Sequence, residues 1–185
     1  MQNLNIKNGQ LQNIRQCPSP HFDSRPEQED ISLLVIHYIS LPPEIFGENF
    51  IDDFFQGKLD PNAHPYFQEI AHIRVSAHCL INRKGEITQY VNFNDRAWHA
   101  GISNFQGKEK CNDFAIGIEL EGSNNQPFTP EQYESLIQLT LAIQKAYPKI
   151  SNERIVGHCD IAPGRKIDPG QFFNWEKYLS SLKKK

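Results

Sequence analysis

The sequence predicts an α/β fold in which a central mixed β-sheet is flanked by helices. Two apolar segments, residues 31–38 and 114–121, have the length and composition of buried strands. Two further segments, residues 130–147 and 174–182, carry apolar side chains at helical spacing. Strands and amphipathic helices that occur together in one chain favour helices packed on a sheet.

The two longest predicted strands differ in how their side chains are distributed. Residues 31–38 are apolar without alternation, which indicates a strand that is covered on both faces. Residues 114–121 alternate, so that isoleucine and leucine share one face, while Glu119 and Glu121 lie on the other. The second strand is therefore expected to present carboxylates on one side of the sheet.

The remaining predicted strands are shorter. Residues 77–82 and 86–91 predict a hairpin that turns at Gly85, where glycine tolerates a positive φ. Residues 154–157 predict a last short strand, which leads directly into His158.

Three helices are predicted. The longest covers about residues 130–147, because Thr129 and Gln132 have the spacing of a capping box at its start. A short helix is expected over residues 49–56. The last helix follows the N-cap residue Asn174. Its inward side chains recur at i, i+3, i+4 and i+7: Trp175, Tyr178, Leu179 and Leu182.

The chain of 185 residues is expected to form one domain with a single substantial core. Residues 1–30 are polar and interrupted by prolines, which predicts an extended arm that is part of the same domain. Residues 31–182 form the body of the domain. Within it, residues 57–75 predict a long irregular stretch, and such loops beside a rigid sheet commonly carry binding groups.

Composition and charge exclude several classes of partner. The net charge of −3 argues against a nucleic acid partner, and no apolar stretch approaches the length of a membrane span. The first ten residues lack the apolar core of a secretion signal, so a cytoplasmic protein is expected. We expect a monomer, with residues 183–185 forming a solvated basic tail. The cysteines lack metal-site spacing and are expected to be free thiols: Cys17, Cys79, Cys111 and Cys159.

Three side chains near predicted strand ends have the chemistry of a metal site. His37 ends the first apolar strand, His158 follows the last strand, and Asp168 lies ten residues later in a loop rich in proline and glycine. Two imidazoles and one carboxylate suit a zinc ion and leave a fourth position for water, as in zinc hydrolases. Spacing alone leaves an ordinary structural role for each histidine equally open.

Two charged residues are candidates for the chemistry itself. Glu119 lies between apolar neighbours in a strand, and a carboxylate there could accept a proton from water as a general base. Glu121 shares its face and is the rival, although its position near the strand end predicts exposure. Lys166 could stabilise a developing oxyanion, and a solvated loop lysine is the alternative.

Substrate contacts are predicted in the loops. Trp98 and His99 form an aromatic pair that could line a sugar or peptide site. Arg74 and Lys110 could bind a carboxylate, and an ordinary surface position is the alternative for both.

Six segments together resemble a known family, the type 2 amidases, which includes phage T7 lysozyme-like amidases and peptidoglycan recognition proteins. The resemblance covers about residues 17–178, and its motifs lie in residues 32–37, 60–67, 74–81, 96–101, 111–122 and 157–163. Within the family, the motifs are most similar to the branch that acts on 1,6-anhydro-muropeptides in peptidoglycan recycling.

The resemblance implies a mixed sheet flanked by helices, with one zinc ion in a surface groove at the sheet edge. It implies hydrolysis of the amide bond between the lactyl group of 1,6-anhydro-N-acetylmuramic acid and L-alanine in muropeptides. By this resemblance the metal ligands are His37, His158 and Asp168, and the catalytic residues are Glu119 and Lys166. The implied substrate contacts are Arg74, Trp98, His99 and Lys110.

The chain departs from the family pattern at two positions. Tyr38 stands where a small polar residue is expected after the first ligand, which alters the expected groove wall. Lys110 stands where arginine is expected, so a bidentate carboxylate contact would become a point charge.

Three other functions remain as alternatives. A catalytically silent muropeptide-binding module would need a missing ligand or catalytic residue, and here all five positions are filled. An amidase could instead act on intact peptidoglycan. A hydrolase without zinc could use Cys159 with His158, although neighbouring residues on a strand would point to opposite faces.

Overall fold

The structure is a computed structural model that describes residues 4–183. Residues 184 and 185 of the predicted basic tail lie outside the described residues, as do the first three residues of the N-terminal segment. Among the described residues, no helix is long and apolar enough to cross a membrane.

Twelve short or medium strands and five helices are found in the described residues. The strands are β1 (Ile6–Lys7), β2 (Gln10–Leu11), β3 (Arg15–Gln16), β4 (Phe22–Ser24), β5 (Leu33–Ile39), β6 (Cys79–Ile81), β7 (Ile87–Gln89), β8 (Asp95–Ala97), β9 (Asn104–Phe105), β10 (Lys108–Glu109), β11 (Ala115–Glu121) and β12 (Ile155–Gly157). The helices are α1 (Phe50–Phe55), α2 (Pro65–Ile70), α3 (Pro130–Ala146), α4 (His158–Ile161) and α5 (Trp175–Leu182), with 3-10 turns at Cys111–Asp113 and Asn152–Arg154.

The central sheet is mixed, as the sequence predicts. Its six strands run in the order β12-β5-β11-β6-β7-β3. Strands β12, β5, β11 and β6 are parallel to one another, whereas β6 and β7 form the predicted antiparallel hairpin. Strand β3, from the N-terminal segment, joins the sheet edge parallel to β7, and β4 pairs with β8 outside this sheet.

The two faces of the sheet bury different cores. On one face, the predicted apolar stripe of β11 packs with side chains of β5, α3 and α5, including Leu34, Ile36, Ile116, Ile118, Leu120, Leu136, Ile143 and Tyr178. On the other face, Leu33, Val35 and Ala115 pack against Phe114 and Ile161. The predictions of a doubly covered first strand and an alternating β11 are therefore confirmed. The second face ends in polar side chains at the carboxyl ends of β5 and β11.

The expectation of an irregular stretch over residues 57–75 is wrong for six residues, which form α2. His64 caps this helix, because its Nδ1 accepts a hydrogen bond from the backbone N–H of Tyr66 at 3.1 Å, and Pro65 occupies the first turn. Six residues are too few to show helical periodicity in the sequence.

The capping box predicted for α3 is present and also joins the helix to the sheet. Gln132 is fully buried, and its Oε1 accepts from the backbone N–H of Thr129 at 3.1 Å. Its Nε2 donates to the carbonyl oxygens of Glu121 at 2.9 Å and Ile81 at 3.2 Å. One side chain therefore satisfies both a helix terminus and the ends of two strands.

We predict that Gln132→Ala lowers the free energy of unfolding by about 2–4 kcal/mol, since it removes a cap and leaves buried carbonyls unpaired. Urea unfolding followed by circular dichroism measures the change. Glu134→Ala, at an exposed position of the same helix, is the control and should change stability by less than about 0.5 kcal/mol. An equal, small effect of both substitutions would contradict the proposed anchoring.

Candidate metal centre

The register of three parallel strands brings the candidate residues into one row. Strands β11 and β5 pair Glu119 with His37, and strands β12 and β5 pair Gly157 with Ile36. His158 therefore begins helix α4 beside His37, although the two residues are 121 positions apart. Paired residues of parallel strands point to the same face, so the polar groups gather on one side.

The three predicted metal ligands converge. Nδ1 of His37 lies 3.0 Å from Nδ1 of His158 and 3.0 Å from Oδ2 of Asp168. The third side of this triangle, from Nδ1 of His158 to Oδ2 of Asp168, measures 3.1 Å. Tetrahedral bonds of about 2.0–2.1 Å would separate ligand atoms by roughly 3.3 Å, close to what is found.

Asp168 reaches the two histidines because its loop folds back onto α4. Its carbonyl oxygen accepts a hydrogen bond from the backbone N–H of Cys159 at 2.9 Å, next to His158. The side chain is buried together with both imidazoles. The ligand atoms of His37, His158 and Asp168 all lie within 4.8 Å of one another, so the three side chains could hold one metal ion.

The chemistry of the donor set fits a cation. Nε2 of His158 lies 3.0 Å from the carbonyl oxygen of Ala100, which can only accept, so that nitrogen carries the proton. Nδ1 of His158 therefore presents a lone pair to Asp168 and His37. Lone pairs crowded within about 3 Å repel one another, and a divalent ion between them removes the repulsion.

Electrostatics support neutral imidazole and ionised carboxylate at this site. Burial, the largest effect, lowers the pKa of His37 to about 4, so the ring is neutral near pH 7. Burial tends to raise the pKa of Asp168, but its contacts with His158 and His37 outweigh it and hold that pKa below its usual value. These are the protonation states that a metal ligand needs.

Glu119 and Glu121 are distinguished by their partners. Both are buried, so the expectation that Glu121 is exposed is wrong. Its Oε1 accepts from the backbone N–H of Gly47 at 2.6 Å, and its Oε2 from that of Arg83 at 3.0 Å. In contrast, Oε2 of Glu119 is buried without a hydrogen-bond partner. Glu121 is thus occupied in holding two loops, while Glu119 has a free acceptor.

The surroundings of Glu119 shift the pKa of its carboxyl group. Burial, and then the negative charge of Asp168, raise the pKa of Glu119 well above its usual value, while the positive charge of Lys166 opposes them. Lys166 itself is exposed, and its backbone N–H donates to the Ala162 carbonyl in the turn after α4. A carboxyl group with a raised pKa beside a candidate metal site has the properties of a general acid or base.

The predicted substrate contacts are not gathered into one cluster. Arg74 is exposed, and its guanidinium donates to the carbonyl of Ala71 at 3.3 Å. Lys110 is exposed and lines a cavity of about 550 Å³ together with Arg165. Trp98 is half-buried, and its indole N–H donates to Asp23 at 3.1 Å.

Of that predicted set, His99 lies against the candidate ligands. Its Nδ1 is 3.0 Å from Nε2 of His37, and burial, followed by the nearby imidazoles, lowers its pKa well below the usual value.

Tyr38, the first departure from the family pattern, is half-buried, and burial raises its pKa. The Tyr38 ring lies close to Gly170, two residues after Asp168: a Cβ atom added at Gly170 would lie 3.4 Å from Cε1 of the ring.

Sequence reasoning missed two residues that hold the loop behind the site. Oδ1 of Asn112 accepts from the backbone N–H groups of His99 at 3.2 Å and Ala100 at 2.8 Å. Nη2 of Arg165 donates to the carbonyl oxygens of Ala100 and Ile102, both at 2.6 Å. Neither contact has a sequence signal, because each links a side chain to a distant backbone.

The arrangement does not support a Cys159–His158 dyad. Both residues lie in the first turn of α4, so the expectation that they share a strand is wrong. Both ring nitrogens of His158 are directed to other groups, and burial raises the pKa of the Cys159 thiol. All four cysteines are free, as predicted.

The family described as N-acetylmuramoyl-L-alanine amidase matches residues 27–171, which is most of the chain and includes His37, His158 and Asp168. The chain belongs to this family. It is 74% identical, over 178 residues, to the 1,6-anhydro-N-acetylmuramyl-L-alanine amidase AmpD of Haemophilus influenzae, with 96% of this chain and 97% of the relative covered. The predicted resemblance to the branch represented by AmpD is thereby confirmed.

Solved structures agree with the fold. A crystal structure of a selenomethionine derivative of AmpD superposes with a TM-score of 0.93 at 55% identity, covering 96% of this chain and 98% of the other. The amidase AmiD from Escherichia coli, in complex with the substrate anhydro-N-acetylmuramic acid-L-Ala-D-γ-Glu-L-Lys, superposes with a TM-score of 0.61 at 31% identity. That match covers 97% of this chain and 65% of AmiD.

We predict that His158→Ala and Asp168→Ala lose the bound metal, because each removes one corner of the donor triangle. Elemental analysis after dialysis should find about one zinc ion per wild-type chain and little in either variant. Cys159→Ala, next to a ligand in the sequence, is the control and should retain zinc. Wild-type zinc content in His158→Ala would contradict the assignment.

Proposed function

We propose that the protein is a zinc-dependent amidase that cleaves the bond between the lactyl group of 1,6-anhydro-N-acetylmuramic acid and L-alanine in muropeptides. The observation that carries the proposal is the triangle of His37, His158 and Asp168 atoms beside the unpartnered carboxylate oxygen of Glu119. When bound there, zinc would supply Lewis-acid polarisation of a carbonyl and lower the pKa of water to about 7.

Glu119 has the role of general base and then general acid. Its register beside His37 on the same face of the sheet directs its carboxylate toward the metal site. Oε2, which lacks a partner, can accept a proton from the attacking water and deliver it to the alanine amine as that group leaves. The raised pKa of Glu119 favours its return of the proton.

Lys166 has the role of stabilising negative charge. It precedes Asp168 by two residues and acts electrostatically on both His37 and Glu119, so its ammonium charge is felt within the site. A fixed positive charge near the scissile carbonyl would stabilise the tetrahedral oxyanion.

The choice of substrate rests on the relatives. The Haemophilus influenzae relative is named for the 1,6-anhydro sugar, and AmiD was solved with an anhydro-muropeptide as its substrate. For this chain we accordingly propose a small muropeptide as substrate and a place in peptidoglycan recycling. Arg74, Trp98 and Lys110 are its proposed contacts. A cytoplasmic monomer, with residues 1–30 serving as an arm of the amidase domain, completes the proposal.

We predict that Glu119→Gln retains zinc and lowers kcat on anhydro-muropeptide by about 10²- to 10⁴-fold, because the amide cannot accept the proton. Chromatographic separation of free stem peptide from the anhydro sugar measures turnover. Glu134→Gln, the same change at an exposed position of α3, should have wild-type kcat.

The same assay separates the alternatives. Binding of anhydro-muropeptide by zinc-loaded wild type without release of stem peptide would indicate a binding module instead. Faster turnover of intact sacculi than of anhydro-muropeptide would indicate an enzyme acting on the cell wall.

A further inference from the structure

We propose that His99 is a positioning residue, which fixes the tautomer and orientation of the metal ligand His37 and makes no contact with substrate. The family resemblance implies a different role, that of a substrate contact. The proposal rests on the proposed function, since it concerns how His37 presents a lone pair to zinc.

His37 needs a hydrogen-bond acceptor for the ring nitrogen that faces away from the metal. If Nδ1 of His37 faces the metal, its Nε2 carries the proton and requires an acceptor inside the protein. Nδ1 of His99 lies 3.0 Å from that Nε2, and the two rings meet edge to face at 84° with centroids 5.0 Å apart. The lone pair of Nδ1 in a neutral imidazole can accept this proton.

The placement of the two ring nitrogens of His99 favours contact with His37 over contact with a substrate. Nδ1 is directed at His37, and Nε2 is buried without a hydrogen-bond partner. A residue that recognised a sugar or peptide would need a polar atom exposed in the groove. His99 is half-buried as a residue, but its Nε2 atom is buried.

Strand β11 leaves space for the His99 ring at Gly117. A Cβ atom at Gly117 would lie 2.4 Å from Cγ and 2.5 Å from Nδ1 of His99, so only glycine at this position of β11 permits the ring to sit there. Beyond it, Nδ1 of His78 accepts from the backbone N–H of Gly117 at 3.0 Å. The His99 ring therefore packs directly against the backbone of β11.

His99 and the next residue, Ala100, together contact both imidazole ligands. The His99 side chain contacts His37, and the carbonyl of the next residue, Ala100, accepts from Nε2 of His158. Asn112 accepts hydrogen bonds from the backbone N–H groups of both residues, and Arg165 donates to the Ala100 carbonyl. One short segment, anchored on both sides, thus sets the tautomers of two ligands.

The test compares zinc affinity among matched variants, measured by competition with a chromophoric chelator. His99→Phe keeps an aromatic ring but removes the acceptor, and we expect zinc affinity to fall by about 10- to 100-fold. His99→Asn places an amide oxygen near the former Nδ1 and should recover most of that affinity. His72→Phe, the same change at an exposed position, should equal wild type.

Each outcome decides between roles. Wild-type zinc affinity in His99→Phe, with a raised KM, would overturn the proposal in favour of substrate contact. Equal losses in the Phe and Asn variants would overturn it too, because packing alone would then explain them. If His99→Phe does not fold, as judged by circular dichroism, the comparison of His99→Ala with His99→Asn decides. A wild-type protein that binds no zinc would instead refute the proposed function.

Discussion

Three electron-rich atoms held about 3 Å apart in a buried site form the constraint on which the rest of this structure depends. Crowding Nδ1 of His37, Nδ1 of His158 and a carboxylate oxygen costs free energy unless a cation lies between them. The fold tolerates that cost because each group is positioned by rigid backbone: His37 by a central strand, His158 by the start of a helix, and Asp168 by a loop bonded back to that helix.

The parallel register of β12, β5 and β11 converts distance in sequence into adjacency. A shift of one residue between β5 and β11 would move Glu119 to the opposite face, into the apolar core under α3. Register is fixed by that core, since Ile116, Ile118 and Leu120 must point into it. The packing of one face of the sheet therefore dictates the chemistry available on the other.

Sequence patterns predicted the parts of this arrangement that depend on local periodicity. The apolar run ending at His37, the alternation around Glu119 and the capping box at Thr129 each carry their own signal, and the structure contains all three. What the patterns missed depends on contacts between distant segments. The partners of Glu121, the clamp by Asn112 and the contact between His99 and His37 exist only once the chain has folded.

X-ray absorption at the zinc edge of the purified protein tests the central claim most directly, because it reports the ligand atoms themselves. We predict two imidazole nitrogens and a carboxylate oxygen at about 2.0–2.2 Å, in a four-coordinate site that contains no sulfur. A sulfur atom at about 2.3 Å, which Cys159 would have to supply, or a spectrum with fewer than two imidazoles, would contradict it.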